Sequence, residues 1–225
     1  MLARLKLALD GFYEFLQRPL FLWSRPVLAL LVIPIILATF KPLWHFDFEA
    51  PQYPKGLSFE VFSYKLESGH DGNDLREINI LNHYIGMKKL DHVELDDLDW
   101  MPFGFGIVAI LLLRVAAIGN VRALVDLCVI IFYFGAFSAG RFVYKLWSYG
   151  HHLAPDAPVK VEPFMPVIMG VKKIGNFTTY GRPVAGTYFF TAAVLGVVAL
   201  TLVHLIVGRI QTRREAARRE KAATA

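Results

Sequence analysis

The sequence predicts an all-α membrane protein, with four transmembrane helices carrying a small mixed α/β extracytoplasmic cap. Three observations lead there. Four apolar stretches, residues 27–44, 101–118, 123–140 and 184–208, approach or reach spanning length. Eighteen residues at about 1.5 Å rise give roughly 27 Å, close to a hydrocarbon core of about 30 Å once the flanks are added. A mean hydropathy of +0.43 with 55% apolar residues exceeds the apolar share of an ordinary soluble domain. Finally, the basic residues behind the net charge of +5 cluster at the chain ends and beside the apolar stretches. That distribution reads as membrane topology with the lipid bilayer as partner, and it argues against nucleic acid.

Residues 1–19 read as an interfacial amphipathic helix. Leu2, Leu5, Leu9, Phe12 and Leu16 recur at helical spacing, with Arg4, Lys6, Asp10 and Glu14 elsewhere on the wheel. A docking helix for a partner is the other reading. Residues 20–44 form the first span, uncleaved because no small-x-small site follows it. The first outer segment, 45–100, opens as a strand in which Leu57, Phe59 and Val61 alternate with Ser58, Glu60 and Phe62. It then changes period. Asp74 and Glu77 make a start resembling a capping box, Leu75, Ile78, Leu81 and Ile85 follow at helical spacing, and Gly86 stands at the C-cap.

Spans at 101–118 and 121–141 flank the tight turn Gly119-Asn120. The second outer segment, 142–183, contains Pro155, Pro158, Pro163 and Pro166 and is expected to run extended. Within it Asn176-Phe177-Thr178 matches a common glycosylation sequon, to which no function is attached. The last span, 184–208, is followed by a basic tail, 209–225, with Arg209, Arg213, Arg214, Arg218, Arg219 and Lys221. An even number of spans puts both termini on one side, and the arginines place that side in the cytoplasm. Both outer segments then face the periplasm or cell exterior.

Few residues stand out chemically. Arg114 and Asp126 lie at similar depth on either side of the Gly119-Asn120 turn, so an intramembrane ion pair is expected, with an ion or proton path as the alternative. His204 and His45 fall at opposite ends of the spans and so are not the two axial ligands of one haem. Cys128 is the single cysteine, which excludes covalent c-type haem and a cysteine-bound iron–sulfur cluster within the chain; a buried inert thiol is expected. The acidic stretch Asp91, Glu94, Asp96, Asp97 and Asp99 is either a solvated face or a docking patch for a basic partner. No hydrolase or nucleotide-binding signature is present, so no catalytic residue is nominated.

On the outer side, His83 with Met87 and Met165 with Met169 are each four residues apart, and His151 and His152 are adjacent. Imidazole with thioether sulfur suits copper, Cu(I) in particular, better than calcium or magnesium. Core methionines with surface histidines are the simpler reading of the same residues.

Two stretches carry a resemblance. They are residues 77–87, Glu-Ile-Asn-Ile-Leu-Asn-His-Tyr-Ile-Gly-Met, and residues 149–161, which begin Tyr-Gly-His-His-Leu-Ala-Pro and continue through Pro163-Phe164-Met165-Pro166. Together they resemble an uncharacterised bacterial family of four-span membrane proteins associated with respiratory copper-enzyme gene clusters of the nitrous oxide reductase type. The resemblance covers about three quarters of the chain. It implies a bacterial inner-membrane accessory protein that assists assembly, copper supply or anchoring of a periplasmic copper or electron-transfer enzyme, with other membrane or periplasmic subunits as partners. The competing expectation is a metal-free structural subunit of a larger complex.

Overall fold

The computed structural model describes residues 11–174 and 177–223. Leu2, Arg4, Leu5, Lys6, Leu9 and Asp10 of the expected interfacial helix, and Asn176 of the sequon, lie outside the described residues; residues 11–16 are helical. In chain order, helices α1 (Ser24–Leu30) and α2 (Val32–Phe40) precede strands β1 (Trp44–Ala50), β2 (Tyr53–Val61) and β3 (Leu66–Ser68). Helices α3 (Asp74–Tyr84), α4 (Asp97–Ile118) and α5 (Val121–His151) follow, then β4 (Gly170–Ile174), β5 (Phe177–Pro183) and α6 (Ala185–Ala223).

The chain is mostly helical, and three of the expected four helices are long and apolar enough to cross a membrane: α4, α5 and α6 over Ala185–Gln211. The first apolar stretch instead makes two short helices within Ser24–Phe40. Pro34 has no N–H to donate to Leu30 and its ring crowds that carbonyl, so the helix breaks at Leu31. Its expected end at 44 is taken by β1, which opens at Trp44.

Two compact units divide the chain. The first comprises Met1–Ile33, Ile107–Tyr133 and Ala192–Ala225. Here Leu28, Val108, Leu112, Leu124, Ile131 and Val197 are almost fully buried. The turn between α4 and α5 is pinned to the segment before α1. Leu20 N–H donates to Gly119 O at 2.7 Å and Val121 N–H to Arg18 O at 3.0 Å. Gly119 adopts φ +65°, a conformation that favours glycine, and Asn120 Oδ1 caps α5 by accepting the Ala123 N–H at 2.8 Å.

The second unit comprises Pro34–Gly106 and Phe134–Thr191 and holds a five-stranded antiparallel sheet of order β3-β2-β1-β5-β4. Strand β1 alternates, so Trp44, Phe46 and Phe48 face the core while His45, Asp47 and Glu49 face the other way. Phe46, Leu57, Phe59, Ile78 and Val167 form that core, with Phe46 and Phe59 stacked at 5.1 Å. Each buried phenylalanine contributes about 1.5–3 kcal/mol by transfer from water, more than any surface ion pair supplies.

Helix α3 lies on the sheet through Ile78, Leu75 and Leu81. Its start differs from a capping box. The N-cap Asn73 makes no side-chain cap bond, and Asp74 is turned to the sheet, where it accepts the Ser58 N–H at 2.7 Å and faces His70 Nδ1 at 2.7 Å. Ser58 sits one residue beyond the β2–β3 ladder, so its buried N–H needs a side-chain acceptor. Glu77, the other expected box member, accepts from the Tyr53 hydroxyl at 3.0 Å. The helix ends in a Schellman turn, with Met87 N–H donating to Asn82 O and Gly86 N–H to His83 O, and Gly86 takes φ +78°.

Helix α5 runs ten residues past its expected end at 141. Phe142 and Leu146, one turn apart, pack against the sheet core, and Trp147 stacks on His151 at 4.7 Å. The helix stops just ahead of Pro155, which disfavours helical backbone at Ala154. Replacing Asp74 by alanine strands a buried N–H; it should cost about 1–3 kcal/mol and lower the thermal midpoint of detergent-solubilised protein, whereas the exposed Asp156→Ala should not.

Candidate functional site

The two outer segments fold together within the second unit. Residues 44–49 of the first pair with 178–183 of the second, joining β1 to β5. Ala154 N–H donates to Gly86 O at 2.8 Å, Val159 N–H to Tyr84 O at 3.0 Å, and the Tyr149 hydroxyl to Lys89 O at 2.7 Å. Phe164 N–H also donates to Gly150 O at 3.0 Å. Backbone bonds therefore draw together residues 82–87, 150–154 and 164–166, the stretches that hold His83, Met87, His151, His152 and Met165.

Within this junction His83 and His152 are exposed, and Met87, His151 and Met165 are half-buried. His151 Nδ1 faces Trp147 O at 2.9 Å, and His152 Nδ1 lies 3.1 Å from Ser148 Oγ and 3.3 Å from Ser148 O. In both rings Nδ1 is engaged by the preceding helical turn, and both rings lie against Trp147. Lys172 places its ammonium 2.6 Å from Met165 O, and Met169 lies apart, 65% exposed just before the edge strand β4. Among the described residues, no group of three or more His, Cys, Asp or Glu side chains converges as a metal site.

The acidic stretch is occupied by the chain itself. Arg141 grips Asp97 through Nε to Oδ1 at 2.9 Å and Nη2 to Oδ2 at 3.2 Å, and also reaches Asp96 at 3.2 Å. Lys145 donates to Asp96 at 2.5 Å and to Glu94 O at 2.8 Å. Glu94 pairs with Lys88 at 2.6 Å, Asp91 caps the Glu94 N–H at 3.0 Å, and Asp99 lies 3.9 Å from His92. Arg141 ends the expected span, and the extension of α5 beyond it delivers Lys145 here. Most of the acidic charge is therefore neutralised internally. The hydrogen bond from Lys145, aided by the charges of Lys145 and Arg141, holds the Asp96 carboxyl below its ordinary range.

A second cluster escaped the sequence reading. On the polar face of the sheet His45 lies between two carboxylates, with Nε2 2.8 Å from Asp47 and Nδ1 3.3 Å from Glu60. Arg182 reaches Asp47 at 3.4 Å, and the hydrogen bond from Tyr180 to Glu49 at 3.2 Å pushes that phenol up. A groove of about 640 Å³ beside it is lined by Asp47, Glu49, Lys55, His70, Tyr180 and Arg182. The available signal was the alternation of His45, Asp47 and Glu49 with Phe46 and Phe48, masked by extending the first span to residue 44.

In the first unit His204 is buried and fully engaged. Nδ1–H donates to Leu200 O at 2.8 Å, and Nε2 accepts the Phe21 N–H at 3.2 Å and lies 3.3 Å from Ser24 Oγ. Both nitrogens are used, so the ring fastens α6 to the segment before α1. Arg114 and Asp126 do not form the expected ion pair. Among the described residues no carboxylate lies within 4 Å of Arg114, and both residues line one groove. The Cys128 thiol is half-buried and unpaired, in place of the expected full burial.

No family model matches the chain, and no curated protein shows significant similarity to it.

Two outcomes are expected. An Asp96 carboxyl lowered in the folded state adds stability that is complete above its unfolded value of about 3.9 and fades as pH falls through the lower folded value. Thermal midpoints recorded from pH 7 to pH 2.5 should therefore show an acid-side decline that Asp96→Asn reduces. His204→Ala should cost about 2–4 kcal/mol by opening a cavity and orphaning the Phe21 N–H, and His204→Gln, which restores an acceptor, should recover part of the midpoint.

Proposed function

We propose that this chain is a bacterial inner-membrane accessory protein that helps assemble, supply with copper or anchor a periplasmic copper or electron-transfer enzyme. The single observation that carries the reading is the junction of residues 82–87, 150–154 and 164–166, held by the Ala154–Gly86 and Phe164–Gly150 backbone bonds. It joins by backbone bonds the stretches of both outer segments that carry imidazole and thioether donors. Those donors fit Cu(I) chemically, since a thioether binds without losing a proton and an imidazole Nε2 is a good soft-metal ligand. In this reading His83, Met87, His151, His152 and Met165 hold the ion transiently, and Met169 at the sheet edge meets the partner. The Ser24–Phe40 helix pair makes the fourth crossing, so both termini are cytoplasmic.

The second reading is a metal-free structural subunit, favoured by the stacking of His151 on Trp147 and by the open charged sheet face around His45. Elemental analysis of detergent-purified protein loaded with Cu(I) under anaerobic conditions separates the two. About one copper per chain is expected, lost when His83, Met87, His151 and His152 are all replaced by alanine. No retained copper in the unaltered protein would leave the structural reading in its place.

A further inference from the structure

The geometry points to a binding site for the headgroup of an anionic phospholipid in the groove between α4 and α5 beside their connecting turn. This groove of about 300 Å³ is lined by Arg114, Arg122, Asn120 and Asp126, and it continues onto the apolar side chains Leu111, Ile118 and Ile130. Arg114, Arg122 and Asp126 are all exposed, and the side chain of none of the three has a hydrogen bond or ion pair to another described residue. Arg141, by contrast, is paired with Asp97. Two arginines with a single carboxylate leave the groove with an unbalanced positive charge.

A phosphodiester completes it. Two guanidinium groups against one carboxylate leave one net positive charge, which a phosphodiester monoanion balances. The guanidinium fork matches phosphate oxygens in two-point contact. Depth agrees as well. Arg114 lies five residues before Gly119 and Arg122 two after Asn120, within about 8 Å of the turn by helical rise, the level of the headgroup and acyl-chain boundary. The apolar lining beyond the charges suits acyl chains, which distinguishes a phospholipid from free phosphate. The site involves none of the proposed copper donors and stands independently of that reading.

The test uses the full chain, delipidated in detergent and titrated with phosphatidylglycerol, phosphatidylcholine or inorganic phosphate, with bound lipid counted by native mass spectrometry. Phosphatidylglycerol is expected to bind in preference to phosphatidylcholine and to resist competition by inorganic phosphate. Replacing both Arg114 and Arg122 by glutamine should weaken it roughly 25-fold, from about fivefold per basic residue, while Arg209→Gln with Arg214→Gln leaves it unchanged. Asp126→Asn should tighten binding, an effect that a merely structural role for the groove does not produce. Unchanged affinity in the Arg114/Arg122 variant, an equal loss in the Arg209/Arg214 variant, or displacement by equimolar inorganic phosphate would each overturn the proposal.

Discussion

Pairing of β1 with β5 is the constraint on which the second unit depends. Six register pairs, from Trp44 with Pro183 to Glu49 with Thr178, join segments more than a hundred residues apart. The same pairing ties in the neighbouring helix ends, since Val184 N–H donates to Leu43 O and Gly186 N–H to Pro42 O. Once β1 lies between β2 and β5, its alternation sends Phe46 and Phe48 into the core and His45, Asp47 and Glu49 to the open face. A slip of one residue would exchange those sets, burying three ionisable groups, so the register is strongly specified.

Several buried polar groups are matched by side chains or backbone brought to them by the fold. Asp74 serves Ser58 and His70, Asp97 is gripped by Arg141 and by the Trp100 indole, and His204 accepts from Phe21. These contacts give structural work to residues that look functional in a linear reading. The acidic stretch is mostly consumed by α5, and His204 has no nitrogen left for a ligand. The α4–α5 groove differs, because its two arginines and its carboxylate are exposed with no side-chain bond to another described residue, and that imbalance gives the groove its chemical interest.

The junction of the outer segments has a different character. It is built by backbone bonds around glycines at tight approaches: a Cβ on Gly86 would lie 2.8 Å from Ala154 N, and one on Gly150 would lie 1.8 Å from Phe164 O. Such packing fixes the backbone, with His83 and His152 exposed and Met87, His151 and Met165 half-buried around it.

Much of this was legible in the amino-acid sequence because it is local. Apolar length marked α4, α5 and α6, alternation marked β2 through Leu57 and Phe59, and helical spacing with Gly86 marked α3 and its end. Chemical type alone singled out the histidines and methionines. What the tertiary structure decided were choices among distant partners. The first apolar stretch loses its last residues to β1 because β1 finds β2 and β5, and α5 continues to His151 because Phe142 and Leu146 find the sheet core. Asp74 serves the sheet and not its own helix end, since the Ser58 N–H beside it is buried and has no strand neighbour. Period and propensity act over one or two turns of chain, whereas the pairing of charges and strands is settled by which surfaces meet when water is excluded.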